Sequence, residues 1–381
     1  MNNSVPFAYP FRIFFLSLAV WAVLAMALWL VSVSGAMTFQ FAVPALLWHQ
    51  HEMVFALLHA AIAGFLLTAV CVWTGTERLH GNALVLLWLV WLAGRAAITI
   101  PGLPETLVVS LNLLFLPLVM IDAGRRIIAT RQSRHAPILV ILLLLWLAQA
   151  AFLLGISITS LQVALIAASA LMLVIGGRIT PAFSGNWLRT RGGDPGVIHN
   201  PLWLERLTLA VMLLLCVVLP FASSGMIALL ALLAAIISVA RISLWRGWLV
   251  RAEPLLWILH LSLLWIPFGL LLLAGSRVGL WPDNVWIHAL GVGAMASLIL
   301  GVISRVSLGH TGRPLILPSG IAAAFVLIQA AAILRVLTAL QLIPWLSGAT
   351  ISAMLWLAAW LLFLLRYTAI LLRPRADGKP G

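Results

Sequence analysis

Few ionisable residues in this 381-residue chain fall within its apolar runs, and histidines dominate that set. The densest group is Trp48-His49-Gln50-His51-Glu52-Met53-Val54-Phe55, with His59 just beyond. His260 stands in Leu259-His260-Leu261-Ser262, His288 in His288-Ala289-Leu290, and His310 between Arg305 and Arg313. All lie within or at the ends of apolar runs. An ionisable side chain there costs roughly 2.5–3.5 kcal/mol on insertion scales, so each needs a reason. Neutral imidazole is a common metal ligand, axial to haem or on copper. Arginines near a membrane face suit the propionates of a haem, and some tryptophans, Trp48 among them, could line a flat macrocycle.

Depth sorts these residues into two candidate sites. His49, His51, Glu52 and His288 fall near the outer face; His260, Arg305 and His310 fall toward the inner one. Nine residues from Arg251 place His260 about 13 Å from the inner edge, and the 22 residues from His288 to His310 span about 33 Å of helix, so one metal cannot bind both. Residues i and i+2 do not share a helix face. Either one of His49 and His51 ligates while the other supports it, or His49 lies just outside the helix. Simpler roles stand beside these. Glu52 in a first turn would complement the helix dipole. His59 and His260 would serve as buried hydrogen-bond partners, and His80, His135 and His199 as solvated loop residues. An Arg95–Glu105 ion pair and an interfacial pairing of Asp122 with Arg125 and Arg126 are further structural expectations, and Pro117, Pro220 and Pro267 are candidate kinks.

The elements that must position these groups follow from composition. The chain is 64% hydrophobic and 8% charged, with 22 basic and 9 acidic residues. Soluble domains carry nearer ~25% charged residues. This excludes a soluble enzyme, a disordered chain and a disulfide scaffold. A membrane core about 30 Å thick needs ~20 apolar residues per helix. Twelve such runs are present, near residues 12–34, 50–73, 82–100, 104–129, 136–156, 158–177, 202–220, 224–249, 252–275, 284–307, 317–338 and 346–372. The first reads as a retained helix and not a signal peptide. Of the 22 basic residues all but Lys379 are arginine, and they sit singly or in small groups between runs, which signals topology and not nucleic acid. With the amino terminus in the cytoplasm, only Arg95, Arg277 and Arg335 fall on the outer side, so the positive-inside rule favours an even number of spans and both termini in the cytoplasm. The expectation is an all-α polytopic membrane bundle of about twelve helices. It would form one integral membrane domain over 1–381, in two six-helix halves, about 1–177 and 202–381, joined by a polar cytoplasmic loop 178–201. No internal sequence repeat is evident. Cys71 and Cys216 lie inside apolar runs and read as packing residues.

Several separated motifs, in order, resemble the NnrS family over nearly the whole chain. They are Trp48-His49-Gln50-His51-Glu52-Met53-Val54-Phe55, Ala63-Gly64-Phe65-Leu66-Leu67-Thr68-Ala69, Trp73-Thr74-Gly75, Gly94-Arg95, Gly176-Gly177-Arg178-Ile179-Thr180-Pro181-Ala182-Phe183, His260, His288, and Arg305 to Arg313 with His310. Ala56 replaces an expected glycine, Cys71-Val72 replaces Pro-Asn, and His59 is outside the family pattern. The resemblance implies a twelve-span protein of the bacterial inner membrane associated with the nitric oxide response and nitrosative stress, containing haem, b-type, and copper. It does not assign ligands. On depth and residue type, the haem candidates are His51, His288, His260, His310, Arg305 and Trp48. The metal candidates are His49, His51, Glu52 and His288, and Arg95, Arg178 and Arg313 are structural or propionate partners.

Two functions from different classes remain open on the sequence. One is a haem protein that binds nitric oxide or passes an electron near the membrane. The other is a secondary transporter for copper, haem or a metal–thiol complex. Intramembrane carboxylates for ion coupling are scarce, Glu52 and Asp122 only, which weighs against transport. A haem–copper oxygen reductase needs a denser set of buried histidines than is present. Turnover and oligomeric state are not legible.

Overall fold

The computed structural model describes residues 5–35, 39–157 and 159–379. Among them all regular structure is helical. The long helices are α1 Pro10–Ser34, α2 Ala45–Thr74, α3 Gly81–Thr99, α4 Glu105–Ala129, α5 Ala136–Leu153 and α6 Ser160–Thr190, then α7 Leu202–Val218, α8 Ser224–Ser243, α9 Pro254–Arg277, α10 Val285–His310, α11 Ile321–Ala339 and α12 Trp345–Leu372. Lipid offers backbone groups no partner, so apolar runs close their hydrogen bonds within a helix. Eleven of the twelve are long and apolar enough to cross a membrane. The exception is α7, whose 17 residues rise only about 25 Å. The chain is a multi-pass helical membrane protein.

Two boundaries differ from the sequence expectation. Helix α2 begins at Ala45, so His49 and His51 are both helical and His49 does not lie outside it. Glu52 then sits two turns in, which removes its role as a first-turn partner of the dipole. Helix α6 runs to Thr190, with Pro181 inside it, so only residues 191–201 of the expected loop 178–201 lie outside a long helix. The polar side chains of that last stretch bond to neighbouring elements, as described below, and do not need an irregular backbone.

Helices α2 and α10 share an uncommon feature. Each carries a π-helical segment, Glu52–Ala56 in α2 and Ala289–Ala296 in α10. Each segment begins directly after a histidine, His51 and His288. π-helix is rare and clusters at functional sites.

The chain divides into two compact units, which are not the halves read from the sequence. The first comprises Met1–Leu161, Ile303–Ile321 and Trp360–Gly381, and the second Gln162–Val302 and Ala322–Ala359. The boundaries differ because α10 and α12 each contribute to both. In the first unit α1 lies close against α2, where a Cβ on Gly64 would come within 2.5 Å of the Phe15 ring. Small residues permit this approach in membrane helices. Arg12 is buried and donates to the carbonyls of Leu371, at 2.8 Å, and Arg373, at 2.9 Å. It thereby satisfies the open C-terminal end of α12. In the second unit α9 packs on the π segment of α10. Gly293 lies directly under the Trp265 ring, whose Nε1 donates to Gln329 Oε1 at 2.7 Å.

Candidate functional site

The most polar buried place in the first unit is built around the π segment of α2. The Glu52 carboxylate divides its two oxygens. Oε1 lies 2.7 Å from His51 Nδ1. Oε2 accepts from Trp21 Nε1 of α1 at 2.6 Å and pairs with Arg95 Nε of α3 at 2.8 Å. Arg95 also donates through Nη2 to Asn112 Oδ1 of α4 at 2.5 Å, and Asn112 Nδ2 donates back to Val108 O at 2.8 Å. Finally, His51 Nε2 faces Gln149 Nε2 of α5 at 3.0 Å. His51, Glu52 and Gln149 are fully buried, and Arg95 and Asn112 nearly so. Five helices therefore meet in one hydrogen-bonded cluster. Trp91 Nε1 reaches Ala56 O, a carbonyl of the π segment, at 3.2 Å, and the Arg95 guanidinium lies 5.5 Å from the Trp91 ring centre.

The cluster fixes the state of His51. A carboxylate paired with a guanidinium is an acceptor only, so His51 Nδ1 carries the proton and donates to Glu52. Nε2 then holds the lone pair and accepts from the Gln149 amide. A histidine whose Nδ1–H is held by a carboxylate and whose Nε2 is basic is the arrangement found behind metal ligands. Both Glu52 oxygens are engaged, so Glu52 acts here as the orienting group.

The other expected residues fall as follows. His49 leaves the helix on another side and stacks on Trp29, 4.1 Å between ring centres and 14° between planes. Trp48 is buried against Phe41, at 4.2 Å and 6°, and donates to Thr99 Oγ1 at 3.0 Å. His59 is buried between Phe55 and Phe115, and its Nε2 has no hydrogen-bond partner among the described residues. In the second unit, His260 Nε2 meets Ser184 Oγ of α6 at 2.9 Å. A Cβ on Gly247 would fall 2.6 Å from its Nδ1, which makes no hydrogen bond among the described residues, so the role of buried hydrogen-bond partner holds through Nε2 alone. His288 is half-buried at the start of the second π segment. In the first unit, the His310 ring lies 5.5 Å from Phe11, its carbonyl accepts from Arg375 at 2.8 Å, Arg313 reaches Thr311 O at 3.4 Å, and Arg305 is half-buried. Among the described residues no three of His, Cys, Asp and Glu converge at metal-ligand distances.

Several expectations are corrected. Arg95 pairs with Glu52 and not with Glu105, which is exposed at the start of α4. Charge in a low-dielectric interior goes to the buried partner. His135 is not a solvated loop residue: it is buried, and its ring stacks flat on Trp73 at 4.2 Å. Arg178 bonds to Glu205 Oε1 at 3.3 Å, and Arg241 shares the same carboxylate at 3.4 Å through Oε2. Arg241 is fully buried and lies directly over Gly177, and Asn200 ties Arg241, Trp245 and the Gly177 carbonyl together. The Gly-Gly-Arg motif is thus a helix surface thinned to admit a second arginine.

Sequence reading missed Gln149, Asn112, Trp21, Glu205 and Arg241 as site or network members. Gln149 and Asn112 had a usable signal, since each is an amide inside an apolar run and needs a partner there. Nothing in the sequence names that partner.

No curated protein matches the chain. The family model described as NnrS protein matches residues 5–375. That match spans every motif above, from the Glu52 cluster to Arg313, and the chain belongs to the NnrS family, as an NnrS-type membrane protein of the nitric oxide response.

Proposed function

We propose that this protein is a haem-binding protein of the bacterial inner membrane that protects against nitric oxide and nitrosative stress, with His51 Nε2 as an iron ligand. The observation that supports this reading most is the 2.7 Å contact of His51 Nδ1 with Glu52, a carboxylate that Arg95 and Trp21 hold in place. A haem needs one strong imidazole on a face, and His51 provides a basic nitrogen beside the aromatic rings of Phe55 and Phe152, at 5.3 and 6.1 Å. An imidazole backed by a carboxylate and flanked by aromatic rings is chemistry that suits that group. Copper needs more than one donor. Within the Glu52 cluster His49 is turned to Trp29 and Glu52 is engaged through both oxygens, and among the described residues no three of His, Cys, Asp and Glu gather as copper donors. When bound, a haem would supply the centre that takes up nitric oxide.

The protein's own contributions are orientation and packing. Glu52 holds the His51 ring through Nδ1 and so orients Nε2 toward Gln149. Arg95 and Trp21 hold the second Glu52 oxygen in place. Asn112 fixes the arginine, and the buried Phe55 packs beside the imidazole.

The transporter reading is weakened by the same cluster. Ion-coupled transport needs a carboxylate that can change its charge. Glu52 is locked in an ion pair, and Asp122 is engaged through both oxygens by Arg126 at 2.9 Å. The absorption spectrum of protein purified with ample haem supply tests the proposal. A Soret band that shifts with nitric oxide supports it. A colourless protein that carries metal or haem across proteoliposomes refutes it in favour of transport.

A further inference from the structure

Gln149 stands where a ligand of His51 would have to stand. Its Nε2 is 3.0 Å from His51 Nε2, and it is fully buried on α5. The direction of this contact follows from the rest of the cluster. His51 Nδ1 donates to Glu52, so Nε2 is an acceptor, and the Gln149 amide must turn its NH₂ toward it; the flipped amide would set two acceptors face to face. That orientation leaves Gln149 Oε1 buried with no hydrogen-bond partner among the described residues. A buried carbonyl without a partner is unfavourable. The glutamine is thus held in place by a single bond to the imidazole, at the expense of its other end.

We propose that Gln149 is a displaceable cap on His51. It occupies the basic nitrogen while no metal group is bound, keeps that lone pair from standing unsatisfied in an apolar site, and swings aside when an iron centre takes its place. The side chain has the rotatable bonds to do this, and moving it can release the stranded carbonyl. Gln149 is a positioning residue that sets how tightly and how fast the site loads. This inference rests on His51 being the ligand.

The test is a titration of detergent-purified, haem-free protein with haemin, followed at the Soret band, for the wild type and for Gln149→Leu, Gln149→Ala and His51→Ala. Losing a competing hydrogen bond of ordinary net strength should tighten binding about fivefold in both glutamine variants. The position of the band should be unchanged, because His51 remains the ligand. A merely structural role would weaken binding or leave it alone. If His51→Ala abolishes binding while both glutamine variants bind haemin as weakly as the wild type or more weakly, the cap is refuted and the ligand reading stands. If His51→Ala binds as the wild type does, the ligand reading fails and the cap with it. Thermal unfolding of each variant identifies misfolding, and the two glutamine substitutions differ enough in volume that both failing for that reason would itself show Gln149 to be structural.

Discussion

Removing the arginine from the Glu52 cluster should be one of the most damaging single changes in the first unit. Arg95→Met keeps length and apolar bulk but leaves Glu52 fully buried against Trp21 and His51 with no counter-charge. At 2.8 Å the gross attraction in the native pair is about 6 kcal/mol at an effective dielectric of 20. Much of it offsets desolvation, so the observable is the cost of breaking a buried pair, about 3–5 kcal/mol. The double variant Glu52→Gln/Arg95→Met removes both charges. It should recover most of that loss, because a neutral amide can still accept from Trp21. The assay is equilibrium unfolding of wild type, both single variants and the double variant in the same detergent, read as a double-mutant cycle. A coupling energy of several kcal/mol is expected. A coupling below about 0.5 kcal/mol, the level of independent sites, would show that Arg95 and Glu52 do not depend on one another and would refute the electrostatic account of the cluster.

Other substitutions follow from the packing. Gly177→Ala sets a methyl group 2.9 Å from the Arg241 guanidinium carbon, and overpacking of this kind should lower stability by about 1–3 kcal/mol, seen as an earlier thermal melt. Ser184→Ala leaves His260 Nε2 buried without its 2.9 Å partner, which should cost about 1–3 kcal/mol in the same measurement. Beyond the last helix, Arg375 bonds to Asp377 and lowers its carboxyl to about 2 from an ordinary value of 3.8. A lowered carboxylate stabilises the folded tail above about pH 4 and loses that contribution as pH falls through about 2. Proteolysis of the tail by an acid-stable protease should therefore be slow at pH 4 and accelerate toward pH 2, whereas Asp377→Asn should be cleaved equally fast at both.

The layout of the membrane helices was legible because hydropathy and arginine placement are independent signals that agree on it. The shortness of α7 was less so, since 202–220 is apolar enough but its helix stops at Val218. The extension of α6 through Arg178 was hidden by its polar residues, whose partners Glu205 and His260 come from distant parts of the chain. The same reason hid the true partner of Arg95. Glu105 is ten residues away in sequence, but Glu52 is the neighbour in space. His49 and His51 could be separated beforehand by helical geometry alone, and they do face apart. The π segments were not legible, since Glu52–Ala56 reads as ordinary helix and the glycines Gly291 and Gly293 in Ala289–Ala296 signal a close helix contact as readily as a π turn.

The central claim is that Glu52 holds His51 so that its Nε2 can ligate a haem iron. Replacing His51 with glycine removes the ligand and leaves a cavity the size of an imidazole. The account predicts that His51→Gly binds haemin poorly and that added imidazole restores the wild-type Soret band. A wild-type band in His51→Gly without imidazole, at the wild-type affinity, would contradict it.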